Sequence, residues 1–375
     1  MSRKTVEKNI AYDDVRNKYY VNFDYGMVDG KRVKKTQVVD KLSDARKILK
    51  QFNADKVNEN LVAPREETVA EWLDYWLKDI TSKKCEETTI YGYKNIINNH
   101  IDPILGPVKL QKLTPKMIQN YMSRKLDSGI SSNTVIKHYN MLKTSLKVAV
   151  MQGVIKNNPA DLVVKPKPVK PEIGVYNKEQ LKILLELVKG TRLELTVWLC
   201  GLLGIRRGEL CGLTWDCVDF EHKVINIKES RTNVGSKQVV KSTKSDKSRV
   251  LAINDDIIRM LQAEKLSQEN AKELLQDLYI DSNYIIVMEN GKPYRPNYLS
   301  ELFTNFINES GLPKITLHGL RHSTASILNA SGKVTIYEIS KMLGHTDIKT
   351  TEKIYVEMFD KANKTAMDVM NDEVL

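Results

Sequence analysis

Residues 165–171 read Lys-Pro-Lys-Pro-Val-Lys-Pro, and no regular element survives that spacing. Three prolines in seven positions remove N–H groups that a helix or a strand ladder needs. The stretch is expected to be an extended, semi-rigid linker over residues 164–173. The main domain boundary therefore falls there. At 375 residues the chain is long enough for two or three domains.

Before the linker the pattern changes twice. Tyr19, Val21, Phe23 and Tyr25 alternate with Tyr20, Asn22 and Asp24, the period-2 signature of a half-buried strand. Asp29-Gly30 marks a hairpin turn, and residues 31–39 read as the return strand. From Ser43, read as an N-cap, Ala45, Ile48, Leu49 and Phe52 fall on one helical face. Residues 1–60 are thus expected to form a small three-stranded sheet plus helix. Residues 66–163 read as all-helical. Thr68 and Glu71 have capping-box spacing, and Thr114-Pro115 is an N-cap followed by proline at the first helical position. A third helix starts near Asn133 or Thr134, with Val135, Tyr139, Leu142, Leu146 and Ala149 on one side and Lys137, Asn140, Thr144 and Lys147 on the other. Residues 174–375 read as a larger, mostly helical domain with some strand. Within it, Val224 to Ile227 form a strand, and 238–240 with 250–253 form a hairpin. The fold class is multidomain and mainly α, ending in a mixed α+β domain.

Lys and Arg total 58 against 47 Asp and Glu, a net charge of +11, which favours a polyanionic partner. Residues 1–60 carry 14 basic against 9 acidic residues, and Lys31, Arg32, Lys34 and Lys35 crowd the return strand. That strand fits a DNA-binding surface and equally a solvated sheet face. The stripe with Lys137 and Lys147 fits either a phosphate track or an ordinary solvated helix side. The longest uncharged apolar run, Leu195 to Ile205, is 11 residues, about half of the ~20 that a spanning helix needs. No signal-peptide h-region follows Met1. The four cysteines show no paired ligand spacing. A reducing cytosol, without disulfides or zinc, is the expected setting.

Four local clusters in the last domain pair charge with an apolar frame. Gly204-Ile205-Arg206-Arg207-Gly208-Glu209-Leu210 follows a buried apolar run. A guanidinium held there suits two phosphate oxygens, and Glu209 is placed to hold it. Lys244-Ser245-Asp246-Lys247-Ser248-Arg249 lies between strand-like runs. His318-Gly319-Leu320-Arg321-His322 puts His318 and Arg321 on one helix face. Leu343-Gly344-His345 is followed ten residues later by Tyr355. Each cluster alone also fits a surface ion pair, a solvated hairpin lysine or a core histidine.

Taken in order, these clusters resemble the tyrosine recombinases, the phage integrase family. The layout of the whole chain is similar to the longer integrases of temperate phages and integrative conjugative elements. That resemblance implies an arm-site DNA-binding domain over 1–60, a helical SAM-like core-binding domain over 66–163 and a catalytic domain over 174–375. The family often has an acidic residue where this chain has Gly319, a position that is not catalytic there. The family register picks Arg206 over Arg207, and Lys244 over Lys241 and Lys247.

The resemblance implies site-specific recombination that integrates a mobile element, and with accessory factors excises it, by metal-free transesterification. No cofactor and no metal site are implied. Tyr355 is the implied nucleophile, forming a 3′-phosphotyrosyl link. Arg206, Arg321 and His345 are implied to meet the charge on the phosphate, His318 to take the phenol proton and Lys244 to serve as acid for the leaving oxygen. Glu209 is implied to orient Arg206, and Lys165 and Lys167 to run near phosphates. The implied partners are double-stranded core and arm attachment sites, three further copies in a homotetramer, a host DNA-bending protein and an excisionase, all in the bacterial cytosol. A chromosome-dimer resolvase, a type IB topoisomerase and a non-enzymatic regulator remain as alternatives. A metal-dependent nuclease lacks a carboxylate cluster to support it.

Overall fold

The computed structural model describes residues 3–28, 30–58, 61–169, 174–242 and 248–344. The chain forms two compact units, Met1–Lys170 and Pro171–Leu375. Among the described residues no helix is long and apolar enough to cross a membrane. All four cysteines are free, and Cys200, Cys211 and Cys217 are buried.

The first unit opens with four antiparallel strands in chain order: β1 (Lys4–Glu7), β2 (Ile10–Asp13), β3 (Lys18–Val28) and β4 (Lys31–Val39). The sheet is antiparallel as expected but holds one strand more than three. The extra strand, β1, buries no side chain, so no apolar alternation betrays it. Alternation in β3 sends Val21 and Phe23 into a small core with Ile10 and Ala45, against which Leu49 and Phe52 of α1 (Leu42–Val57) pack. Helix α1 starts two residues earlier than an N-cap at Ser43 implies. Its N-cap is Lys41, which makes no side-chain capping bond.

The helical remainder of this unit begins at α2 (Val69–Tyr75), closed by the reciprocal Thr68–Glu71 capping box. It runs into a wider π-helical turn, Trp76–Thr81. The same widening, Ile97–Ile101, joins α3 (Glu87–Ile96) to the short α4 (Asp102–Leu105). Helix α5 (Pro115–Asp127) is capped by Thr114, and α6 (Ser132–Met151) by Ser131. Trp72, Leu73, Ile101, Ile118, Tyr121, Tyr139 and Leu142 fill one core. His138 is buried among them, its Nδ1 2.8 Å from the Tyr121 hydroxyl and its ring stacked on His100 at 4.7 Å. In the first turn of α6, the Asn133 side chain donates to the carbonyl of Val169 and accepts from its N–H, which pins the proline-rich stretch at Val169.

The second unit carries α7 (Lys178–Leu187), α8 (Glu194–Leu202) and the single turn α9 (Arg207–Leu210). Five strands follow: β5 (Val218–Asp219), β6 (Val224–Ile227), β7 (Glu229–Val234), β8 (Lys237–Ser242) and β9 (Arg249–Ala252). Helices α10 (Asp255–Leu275), α11 (Pro296–Glu309), α12 (Leu317–Ala330) and α13 (Ile336–Leu343) complete it. The expected pairing of 238–240 with 250–253 is not what forms. Strand β8 folds back on β7 about Gly235, whose φ of +61° suits a tight turn, while β9 pairs with β6. Leu184, Leu199, Ile205, Leu210, Ile225 and Phe303 anchor the shared core. Gly319 in α12 is buried. A β-carbon there would press on Ile315 and on the Gly174 carbonyl, so glycine lets the backbone at Gly174 lie against α12.

Candidate active site

Helix α8 ends at Leu202, and Gly204, just past its C-cap, has a φ of +63°. A β-carbon there would collide with Leu343, so only glycine lets the α8 exit meet the end of α13. Ile205 is buried behind it, and Arg206 takes the N-cap position of α9 in extended conformation. Glu209, three residues on, folds back: it accepts from the Arg206 backbone N–H at 3.0 Å and from Arg206 Nη1 at 2.7 Å. Arg207, its neighbour, points elsewhere and donates to Ser300 of α11 at 2.8 Å.

Glu209 is only 2% exposed and needs more than one counter-charge. Arg249 supplies it, with Nη1 3.0 Å from Oε1 and Nη2 2.7 Å from Oε2. Burial by itself raises the carboxyl, yet Arg249, Arg206 and the Arg206 N–H hold it down to about 2. Each carboxylate oxygen thus accepts two N–H bonds.

Arg321 comes from the first turns of α12 and is 1% exposed. Its Nη1 donates to the Gly204 carbonyl at 2.5 Å and its Nη2 to Leu343 at 2.6 Å. Burial, then the charge of Arg206, lowers its pKa to about 9, which leaves it a cation at neutral pH. Arg206 Nη2 donates to Gly344 at 2.7 Å, and Arg249 Nε to Met342 at 2.9 Å. Three consecutive carbonyls at the end of α13 therefore each accept from a different arginine. A helix C-terminus leaves such carbonyls unpaired and carries partial negative charge, so it gathers cations. Gly344 closes the helix in the left-handed conformation.

His318 sits one turn before Arg321 on α12, at an exposed position. Desolvation by the surrounding protein, then Arg321, Arg206 and Arg207, lowers its pKa. A neutral imidazole at pH 7 can accept a proton. The His322 ring meets it edge-on, with centroids 4.6 Å apart. His322 is pushed down to about 4 by burial, His318 and Arg321. The structure therefore gathers Arg206, Glu209, His318 and Arg321 in one corner. Lys244, His345 and Tyr355 lie outside the described residues. Among the described residues no three His, Cys, Asp or Glu side chains group as metal ligands.

The phage integrase family model matches residues 175–362, half of the chain. The chain belongs to the phage integrase family. Two further models of integrase SAM-like domains match 68–126 and 106–165. A XerC-like tyrosine recombinase of Caldanaerobacter subterraneus subsp. tengcongensis is 27% identical, covering 81% of this chain and 83% of that protein. The ICEBs1 integrase of Bacillus subtilis is 25% identical over 94% of this chain and 96% of its own length. Two solved structures share the fold. The Tn1549 transposon integrase, in complex with a circular intermediate DNA, has a TM-score of 0.67 at 20% identity, covering 77% of this chain and 95% of that one. A lambda integrase tetramer bound to a Holliday junction has a TM-score of 0.57 at 18% identity, covering 92% and 97%. This integrase is a tyrosine recombinase, an enzyme of DNA strand cleavage and rejoining.

Reading residue types alone misses Arg249 and His322 as members of this corner. Both carry a signal. Arg249 ends the Lys-x-x-x-Ser-Arg register, and His322 directly follows Arg321. The carbonyls of Met342, Leu343 and Gly344 carry none, because a backbone acceptor looks the same in every residue.

Four of the DNA-facing candidates in the sheet, Lys31, Arg32, Lys34 and Lys35, are exposed. Arg32 also pairs with Asp24, at 2.5 Å, and that contact holds the Asp24 carboxyl down to about 2. Lys137 and Lys147 are exposed on α6. Lys165 and Lys167 are exposed too, with Lys165 Nζ 5.4 Å from the centre of the Tyr139 ring.

Proposed function

We propose that this integrase inserts a mobile element into DNA, and with accessory factors excises it, through Tyr355 as nucleophile. The Tyr355 hydroxyl oxygen attacks the scissile phosphorus and its proton passes to His318. The bond from phosphorus to the 5′-oxygen breaks, and Lys244 supplies the proton that makes a 5′-hydroxyl. The phosphodiester survives as a 3′-phosphotyrosyl link, so rejoining needs no nucleotide cofactor. Arg206, Arg321 and His345 meet the charge on the non-bridging oxygens. Glu209 orients Arg206. The observation that carries this reading is the fixing of Arg206 and Arg321 by adjacent carbonyls, Gly344 and Leu343, directly before His345 in sequence.

The remaining roles follow the same reading. Residues 1–60 bind arm sites through Lys31, Arg32, Lys34 and Lys35. Residues 66–163 bind the core site with Lys137 and Lys147, and residues 164–173 link them to the catalytic domain over 174–375, with Lys165 and Lys167 beside phosphates. Four copies act on two duplexes, helped by a host DNA-bending protein and an excisionase in the bacterial cytosol. The test is covalent trapping on a nicked duplex carrying the element's attachment core, in EDTA. An SDS-resistant protein–DNA adduct that disappears in Tyr355→Phe is expected. An adduct that persists in Tyr355→Phe overturns the assignment. Relaxation of supercoils without strand exchange to a second duplex points instead to a topoisomerase.

A further inference from the structure

Strand β9 keeps the inward–outward alternation of a strand but fills two of its positions with the opposite residue types. Val250 is 60% exposed while Leu251 is buried, and the Arg249 side chain is only 11% exposed. A strand that turns a valine out and an arginine in must satisfy that charge inside. Arg249 satisfies it on two elements at once. Both Nη atoms clasp the two oxygens of Glu209, and Nε binds the Met342 carbonyl. The fit leaves no slack: a β-carbon on Gly344 would come within 3.0 Å of Arg249 Nη1. The same Glu209 oxygens and the same helix end hold Arg206.

We propose that Arg249 is a positioning residue for strand cleavage, setting Glu209 and the end of α13 so that the Arg206 guanidinium is held in one orientation. This rests on Arg206 acting at the scissile phosphate, as proposed above. Without Arg249 the buried Glu209 carboxylate keeps Arg206 as the side-chain cation hydrogen-bonded to it, and Arg206 is drawn inward to it. A lysine restores a charge but cannot bridge both oxygens and reach Met342 together. Arg249 itself faces Glu209 and the helix end, so its effect passes through Arg206.

The experiment is single-turnover cleavage by the full chain, at equal DNA occupancy, for Arg206→Ala, Arg249→Ala, Arg249→Lys and the Arg206→Ala/Arg249→Ala double variant. Two substrates are used, one normal and one with a neutral methylphosphonate at the scissile position. Arg249→Ala is expected to lose at least tenfold on the normal substrate and Arg249→Lys somewhat less. Adding Arg249→Ala to Arg206→Ala is expected to cost under threefold more, since coupled residues are not additive. On the neutral substrate the defects of both single variants are expected to shrink together, because no phosphate charge remains to be met. A drop in stability alone leaves the Arg249 defect equal on both substrates and overturns the proposal, as do multiplicative losses in the double variant. If Arg249→Ala does not fold, Arg249→Lys carries the same comparison, and wild-type cleavage by a folded Arg249→Lys overturns it. Normal cleavage by Arg206→Ala overturns the reading of Arg206, whereas a dead Arg206→Ala beside a fully active Arg249→Ala overturns only this inference.

Discussion

Arg206 Nη2 lies 2.7 Å from the carbonyl oxygen of Gly344, joining two turns that are 138 residues apart in sequence. Through that bond the start of α9 and the end of α13 become one corner. On the proposed reading, removing the guanidinium deletes a fixed donor to the scissile phosphate. Arg206→Ala and Arg321→Ala are each expected to slow single-turnover cleavage by about 10²–10³-fold, read as the yield of covalent adduct against time.

Glu209→Gln keeps the volume and removes the charge between Arg206 and Arg249. Leaving one partner of a buried pair uncompensated costs about 3–5 kcal/mol. A lower denaturation midpoint and slower cleavage are expected together. The sign with pH follows from a carboxyl held at about 2 in the folded chain. Its stabilisation is present above the ordinary carboxylate range of roughly 4 and is lost as pH falls towards about 2. Acid unfolding of wild type and Glu209→Gln is therefore expected to converge at low pH.

Gly204→Ala combines a φ of +63° with a collision against Leu343. Backbone strain of this kind costs on the order of 1–3 kcal/mol. The substitution is expected to displace the end of α13 and lower cleavage more than it lowers the affinity for DNA. Single-turnover cleavage beside a filter-binding titration separates the two, and thermal melting reads the strain.

Buried His138, with the half-buried His100 stacked on it, gives the helical part of the first unit an acid limit. Desolvation, then His100 and Lys125, lowers His138 to about 4, and burial lowers His100 as well. A histidine lowered on folding stabilises above its ordinary pKa near 6.5 and loses that contribution as pH falls from there towards about 4. The slope is at most about 1.4 kcal/mol per pH unit per group. Hydrogen exchange across α5 and α6 is expected to speed up over that window in wild type and less so in His138→Leu.

Lys31, Lys34 and Lys35 are exposed, whereas Arg32 is paired with Asp24. Removing one lysine–phosphate pairing lowers the salt slope of DNA binding by about 0.9. Alanine at any of the three lysines that meets a phosphate is expected to show that drop on arm-site DNA. Alanine at Arg32 is expected to show a smaller one.

Much of this fold is legible in residue order because local chemistry decides it. The Thr68–Glu71 box and Thr114-Pro115 announce their helices, and the alternation of Val21 and Phe23 announces its strand. What stays hidden depends on partners distant in sequence. Strand β1 has no apolar face to show. The partner of β8 is chosen by the turn at Gly235 rather than by the apolar run that follows in β9. In the site, the arginine-rich turn and the His318–Arg321 spacing point to a polyanion from residue order alone. The Glu209 partner of Arg206 is legible as well, but the bonds from Arg206 to Gly344 and from Arg321 to Gly204 and Leu343 end on backbone oxygens, and no side-chain code records them.

Three guanidinium groups hang from the last turn of α13, one on each of Met342, Leu343 and Gly344. They are therefore yoked. A shift of that turn by a fraction of an ångström misaligns Arg206, Arg249 and Arg321 at once, so substitutions along Ile336–Leu343 should switch the corner on or off as a set and leave few grades between.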